Sequence, residues 1–345
     1  MTETCALPDF SIDQAASILK NLYGIDGRLQ SLNGERDLNY LVTSGNGLFV
    51  FKIANQEESY AMLECQHLVL EHLASHRVMH RLASSVESLN GAVIETITNE
   101  TGANFFCRTM HYVKGRLLSK VQPHSAELLF DLGKTLGQLD QALQDFNHEA
   151  LNRPFLWNMC DAPKTLARFK PLLTSKSKLN LVEHFESRFC ETVLPPGNKL
   201  RMGVIHNDAN DNNVLVDEDN PQRLTSIIDF GDMVYSWLAV EPSVAATYAM
   251  LGKAQPLDVA ASIIEGYHSR LALQDAEIRA IFNFICMRLC MSVCICAYQK
   301  SIEPDNEYLS ISEQPAWELL QQLRGTSSAT AIEVFGDACA NRQSR

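Results

Sequence analysis

Residues 203–232 read GVIHNDANDNNVLVDEDNPQRLTSIIDFGD, and the fold turns on how this stretch alternates apolar runs with oxygen-bearing side chains. One apolar run ends in His206-Asn207-Asp208, and Asn213 follows five residues after Asp208. Val214–Val216 then has the character of a short strand, Glu218–Pro221 that of a turn, and a second apolar run ends in Ile227-Ile228-Asp229-Phe230-Gly231. A hairpin of this kind brings Asp208, Asn213 and Asp229 to one end of a sheet. Such a set suits phosphoryl transfer from a nucleotide. One carboxylate orients the attacking hydroxyl and takes its proton, while a carboxylate and a carboxamide oxygen suit Mg²⁺, a hard cation with a preference for oxygen. Asp and Asn also favour turns, so capping alone would explain a lone Asp-Phe-Gly. Residues elsewhere separate the two readings.

Towards the N-terminus, Ser11-Ile12-Asp13-Gln14 forms a capping box and predicts a short helix ending at Gly24. Strand-like runs follow at Gly27–Leu32, Leu38–Thr43 and Leu48–Ile53, punctuated by Asn33-Gly34 and Gly45-Asn46-Gly47. A helix is expected over 57–75, then strands over 92–97 and 105–113. Nucleotide phosphates call for a lysine on the third strand, steadied by a glutamate on the next helix. Lys52 closes the run Leu48-Phe49-Val50-Phe51, and Glu64 lies twelve residues on. Glu57, Glu58 and Glu71 compete with Glu64 on the same helix. After Lys114-Gly115 helical patterns dominate, over about 125–146, 163–173, 179–192 and several segments beyond Glu241. The expected class is α+β in two lobes: a β-rich nucleotide-binding lobe, 1–113, and a larger, mostly helical catalytic and substrate lobe, 114–345, with a hinge near 110–115.

The 345 residues include 29 Lys+Arg and 41 Asp+Glu, a net charge of −12. That balance argues against nucleic-acid and anionic-membrane partners, which require a positive field. A hydrophobic content of 46% with 20% charged residues belongs to a globular chain. MTETCALPDF lacks the basic and apolar regions of an export signal. Ile281–Tyr298 is apolar over 18 residues but carries Asn283 and Arg288, which favours a buried helix over a membrane span. The 10 cysteines are scattered, as free thiols in a reducing cytoplasm would be.

Three patterns read as decoys. Asp208, Asn210 and Asn212 match the start of a calcium loop, but Asn213 replaces its glycine and strands flank it. Gly133-Lys134-Thr135 resembles the end of a phosphate loop, yet Leu128 stands where the first glycine belongs and the segment reads as mid-helix. Cys286, Cys290 and Cys294 share a helix face without a closed ligand set, and His72, His76 and His80 run into a loop-like region.

The segments NGERDLNYLV, FVFKI, MLECQHLVLEHL, VIHNDANDNNVLV and IIDFGDMVYSWLAVE together resemble the aminoglycoside phosphotransferase family of protein-kinase-like small-molecule kinases, most closely its hydroxylysine kinase group. The resemblance spans essentially the whole chain. It implies that Asp208 is the catalytic base, that Asn213 and Asp229 bind Mg²⁺, and that Lys52 with Glu64 steadies the phosphates of ATP or GTP. It further implies that the loop from Gly34 through Asp37 to Asn39 lies over the phosphates, that backbone around His111–Val113 faces the base, and that His206 is structural. Trp157-Asn158 stands where the family frequently has Trp-Asp, which removes one possible amine-binding carboxylate.

No Ala-Pro-Glu-like segment follows Asp229-Phe230-Gly231, so a peptide substrate is not expected. A catalytically inactive kinase-like binding protein would lack a chemical group, and none is missing. The remaining reading is a small-molecule kinase for a hydroxyl of an amino acid or amino alcohol. Asp211, Asp232, Glu241 and Asn158 are candidate substrate contacts, and Arg36, Arg153 or Arg201 could take a carboxylate. 5-Hydroxylysine fits both this set and the resemblance; aminoglycoside, homoserine, choline and methylthioribose are the alternatives on the same fold. Oligomeric state is left open.

Overall fold

The computed structural model describes residues 7–32, 34, 36–195, 199–302 and 313–340. Asn33 of the expected Asn33-Gly34 turn, and Glu35 of the loop that follows, lie outside the described residues, as do residues 1–6. The chain divides into two compact units. The first holds 1–77, 81–114 and 148–150; the second holds 78–80, 115–147 and 151–345.

The first unit opens with α1 (Ile12–Tyr23), and both halves of the expected capping box form: Gln14 N–H donates to Ser11 Oγ and Ser11 N–H to Gln14 Oε1. Gly24 ends the helix at φ 64, a conformation glycine adopts without steric cost. β1 (Gly27–Leu32), β2 (Leu38–Ser44) and β3 (Gly47–Ile53) form a meander. Alternation along β3 buries Phe49, Phe51 and Ile53 and puts Lys52 on the opposite face. The next helix, α2 (Tyr60–His76), begins later than expected. Asn55 Oδ1 accepts from Glu57 N–H and Ser59 caps the helix, so two side chains hold 57–59 out of helical geometry. His72 and His76 are both on α2 with ring centroids 4.5 Å apart, whereas His80 lies beyond its end. β4 (Ser85–Val86), β5 (Glu95–Thr98) and β6 (Asn104–His111) complete the sheet, in the order β1-β2-β3-β6-β4 with β5 also on β6.

The second unit is mostly helical: α3 (Ala126–Ala142), α4 (Ala162–Phe169), α5 (Lys176–Thr192), α6 (Val240–Ala249), α7 (Pro256–His268), α8 (Asp275–Ile302), α9 (Glu313–Arg324) and α10 (Ser328–Ala340). α3 and α4 end before their predicted limits because tight 3-10 turns, Leu143–Asp145 and Lys170–Leu172, take over. Gly133 is the close-packing point of α3 on α7. A methyl group there would overlap the Ile263 carbonyl, and one at Gly266 would overlap that of Phe130. The apparent phosphate-loop ending is thus a helix-packing device.

Short strands sit among these helices: β7 (Arg116–Leu117), β8 (Met202–Ile205), β9 (Val214–Val216), β10 (Leu224–Ile227) and β11 (Val234–Trp237). They pair as β10-β9-β7 and β11-β8. The expected hairpin is β9–β10, with Ile227 opposite Val214. Helix α8 is long and apolar enough to cross a membrane, but 89% of its most apolar window is buried inside the protein. Cys286, Cys290, Cys294 and Cys296 are buried along it, and burial raises their thiol pKa values.

Candidate active site

β8 delivers the chain into His206-Asn207-Asp208, where the backbone leaves strand geometry and Asn207 adopts φ 66. Asn tolerates this left-handed conformation better than most residues, and three groups hold it. Asn207 N–H donates to Glu241 Oε2 at 3.0 Å, and Asn207 Nδ2 donates to the carbonyls of Asp232 at 3.2 Å and Trp157 at 3.5 Å. His206 is fully buried with its ring edge-on to Phe230. Asp208 N–H donates to its Nδ1, so Nε2 carries the hydrogen donated to the Ile228 carbonyl. Burial lowers its pKa. His206 is therefore a neutral brace between the two arms of the quoted stretch.

The carboxylate of Asp208 is held from three directions. Asn213 Nδ2 donates to Oδ2 at 2.7 Å and to the Asp208 carbonyl at 3.0 Å; Asn210 Nδ2 reaches Oδ1 at 3.0 Å; Arg288 Nη2 reaches the same oxygen at 3.3 Å. Burial, then the charge of Asp232, push its pKa well above the usual carboxylate range, and Arg288 opposes them. A carboxylate so held is a stronger proton acceptor than a solvated one. Asp229 is exposed and left-handed at φ 65, and its Oδ1 accepts from Gly231 N–H at 3.4 Å. Arg153 pins the same turn by donating to the Gly231 carbonyl at 2.5 Å.

The donor set fits a hard divalent cation. Asn213 turns its amide nitrogen to Asp208, so its side-chain carbonyl oxygen is the atom that could face a cation, and Asp229 adds an exposed carboxylate.

Other site residues depart from expectation. Glu241 is fully buried and serves the Asn207 backbone rather than a substrate; burial pushes its pKa up to about 7. Asn158 is committed to Ser236 Oγ, Cys160 N–H and the Tyr235 carbonyl, so it builds the turn before α4. Burial raises the pKa of the Asp211 carboxyl, against the opposing charges of His124, Lys120 and Lys253. Arg201 is taken by buried Glu277, through bonds of 2.8 and 2.6 Å. Among the expected substrate carboxylates, Asp232 alone is half-buried and within the electrostatic reach of Asp208.

In the first unit, Lys52 sits between Asn39 and Arg108 in the strand register. Glu64 pairs with His148 at 3.7 Å. Glu64 occupies the half-buried face of α2, between core-facing Leu63 and Cys65. Asp37 Oδ1 accepts from both the backbone and side-chain N–H groups of Asn55, each at 3.0 Å, so Asp37 clamps the loop instead of offering itself to phosphate. At Gly34 a methyl group would overlap the backbone carbonyl of Asp37 as well as Asn39 Nδ2, so the tight loop here requires glycine. The N–H of His111 is committed to the Ser84 carbonyl and that of Tyr112 to Leu48, each near 3 Å. Among the described residues none accepts from Val113 N–H.

The sequence gives no sign that Arg288, Trp157 and Tyr248 converge beside Asp208. The guanidinium of Arg288 lies 4.3 Å from the Trp157 ring centroid and 5.6 Å from that of Tyr248.

A family model described as phosphotransferase enzyme family matches residues 29–280. The chain belongs to this family. Among known proteins the chain is similar to hydroxylysine kinase of Mus musculus, 27% identical over 99% of this chain and 97% of that protein. Hydroxylysine kinase of Xenopus laevis is 28% identical over 95% and 93%. Among solved structures, a microcompartment-associated aminopropanol kinase aligns with a TM-score of 0.69 and 18% identity over 96% of each chain. An amicoumacin kinase aligns at 0.70 and 15%, over 91% of this chain and 94% of that one. The fold is kinase-like, and the chain is a small-molecule kinase acting on an alcohol.

Proposed function

We propose that this enzyme transfers the γ-phosphoryl group of ATP or GTP, with Mg²⁺, to a hydroxyl of an amino acid or amino alcohol, and that 5-hydroxylysine is the acceptor. The observation that carries the chemistry is the threefold hold on Asp208 by Asn213, Asn210 and Arg288. Oriented in this way, the carboxylate takes the acceptor's hydroxyl proton as the oxygen attacks phosphorus. Asn213 Oδ1 and Asp229 would hold Mg²⁺, which when bound neutralises charge on the phosphates. Lys52 adds positive charge to the nucleotide phosphates, the loop through Gly34 and Asn39 covers them, and Val113 N–H serves the base. In this assignment 1–113 carry the nucleotide and 114–345 the acceptor.

The relatives named hydroxylysine kinase, matched nearly end to end, support the acceptor. The half-buried carboxylate of Asp232 supports an amine on it. Buried thiols support a reducing, cytoplasmic setting.

The test is a panel of hydroxylated amines and amino acids scored for nucleoside diphosphate release. Turnover with 5-hydroxylysine and silence with aminoglycosides, homoserine and choline is the expected pattern. Asp208→Asn should lower kcat by about 10²–10⁴-fold with Mg²⁺–nucleotide affinity nearly unchanged. Full turnover by that variant would remove the base assignment.

A further inference from the structure

Helix α8 carries one cationic side chain through its apolar middle. Arg288 is 1% exposed, and a guanidinium withdrawn from water is strongly destabilising unless partners answer it. All its partners belong to one place. Nη2 reaches Asp208 Oδ1 at 3.3 Å, Nη1 the Trp157 carbonyl at 3.5 Å, and Nε the Tyr248 hydroxyl at 3.3 Å. The Trp157 and Tyr248 rings flank the same charge.

Two geometric consequences follow. Asn213 holds one Asp208 oxygen while Asn210 and Arg288 converge on the other, so the carboxylate plane has fixed points at both ends. The Trp157 carbonyl accepts from Asn207 as well as from Arg288, so the turn bearing Trp157 is tied to the loop bearing Asp208 through a shared acceptor. Trp157 and Tyr248 are half-buried, and Arg288 lies beneath them as a floor.

We propose that Arg288 is a positioning residue of the phosphoryl transfer, setting the orientation of the Asp208 carboxylate and of the Trp157 wall beside it. It acts through Asp208 and does not touch the nucleotide. This inference rests on Asp208 being the base, and a double-mutant cycle separates the two claims. Full-length wild type, Arg288→Gln, Arg288→Lys, Asp208→Asn and the double variant are compared for kcat and KM with 5-hydroxylysine, or with whichever panel member is turned over. Mg·ATP affinity by calorimetry reports folding and the nucleotide site.

Arg288→Gln is expected to lower kcat about 10²-fold, the scale of a misplaced reacting group, with Mg·ATP affinity within about twofold of wild type. Arg288→Lys should recover part of that loss. In the Asp208→Asn background Arg288→Gln should cost less than about twofold more, because the group it orients is already gone. Should Arg288→Gln fail to fold, the double variant removes both charges together, and its residual rate against Asp208→Asn alone decides the matter. An inactive Asp208→Asn beside an Arg288→Gln of unchanged kcat overturns the positioning role while leaving the base in place. Independent, multiplying losses overturn it too. An active Asp208→Asn overturns the base assignment and the inference with it.

Discussion

Glu241 shows how one carboxyl can be visible in a sequence and still be misread. Its sign and its place after Trp237 suggest an amine partner, but whether it faces solvent depends on how α6 packs, and no local pattern reports that. The structure seats it beneath Asn207, fully buried, with its pKa moved from 4.5 to about 7. Between those values the unfolded chain has lost the proton and the folded chain keeps it, so stability falls as pH rises and levels off above about 7. Glu241→Gln retains the oxygen that accepts from Asn207 and cannot ionise. Relative to that variant, the wild type should lose up to ~3 kcal/mol of unfolding free energy between pH 4.5 and 7.5. Denaturant titrations at both pH values check this, and a constant difference between the two proteins would refute it. Asp208, Asn213 and Asp229 could be singled out in the chain because one span of 22 residues, 208–229, carries all three. Arg288 is eighty residues away from Asp208 and has no local motif to announce it. At Asp229, substitution by Ala should weaken Mg²⁺-dependent nucleotide binding while leaving metal-free binding alone, as calorimetry with and without Mg²⁺ would reveal.

Among the elements, strand alternation and turn residues placed β1 to β3 almost to the residue, since a half-buried strand writes its period directly into the chain. Helix ends were harder. α2 starts at Tyr60 because Asn55 and Ser59 compete for the backbone, and α3 yields to a 3-10 turn that has no distinct composition. The two-residue strands β4 and β7 exist only through their partners. The packing of α3 on α7 was invisible for a different reason: Gly133 and Gly266 are half of a contact each. Alanine at either should destabilise by about 2 kcal/mol, because overlap with a facing carbonyl outweighs the ~1 kcal/mol gained in helix propensity. Gly336 on α10 has no neighbour within 4 Å of the added methyl, so Gly336→Ala should stabilise by up to ~1 kcal/mol. Thermal melts of the three variants give the comparison, and equal shifts at all three positions would exclude the packing explanation.

At the scale of the whole molecule, the order of a β-rich unit followed by a helical one could be read from the chain, because periodicity changes from two to three or four near Lys114. Which carboxyls serve the acceptor could not, because that depends on packing among distant helices. Chelation of divalent cations should abolish turnover, with recovery on adding Mg²⁺; activity that persists after exhaustive chelation would contradict the assignment of Asn213 and Asp229. The sheltered thiols of α8 have a practical consequence. Among the described cysteines Cys190 alone is exposed, while Cys65, Cys107, Cys286, Cys290, Cys294, Cys296 and Cys339 are interior. An alkylating label would mark Cys190 at once and reach the α8 group only when that helix parts from its neighbours. Mass spectrometry of timed labelling therefore turns this chain into its own dosimeter of breathing, free of any attached dye, and a saturating nucleotide should slow every interior count.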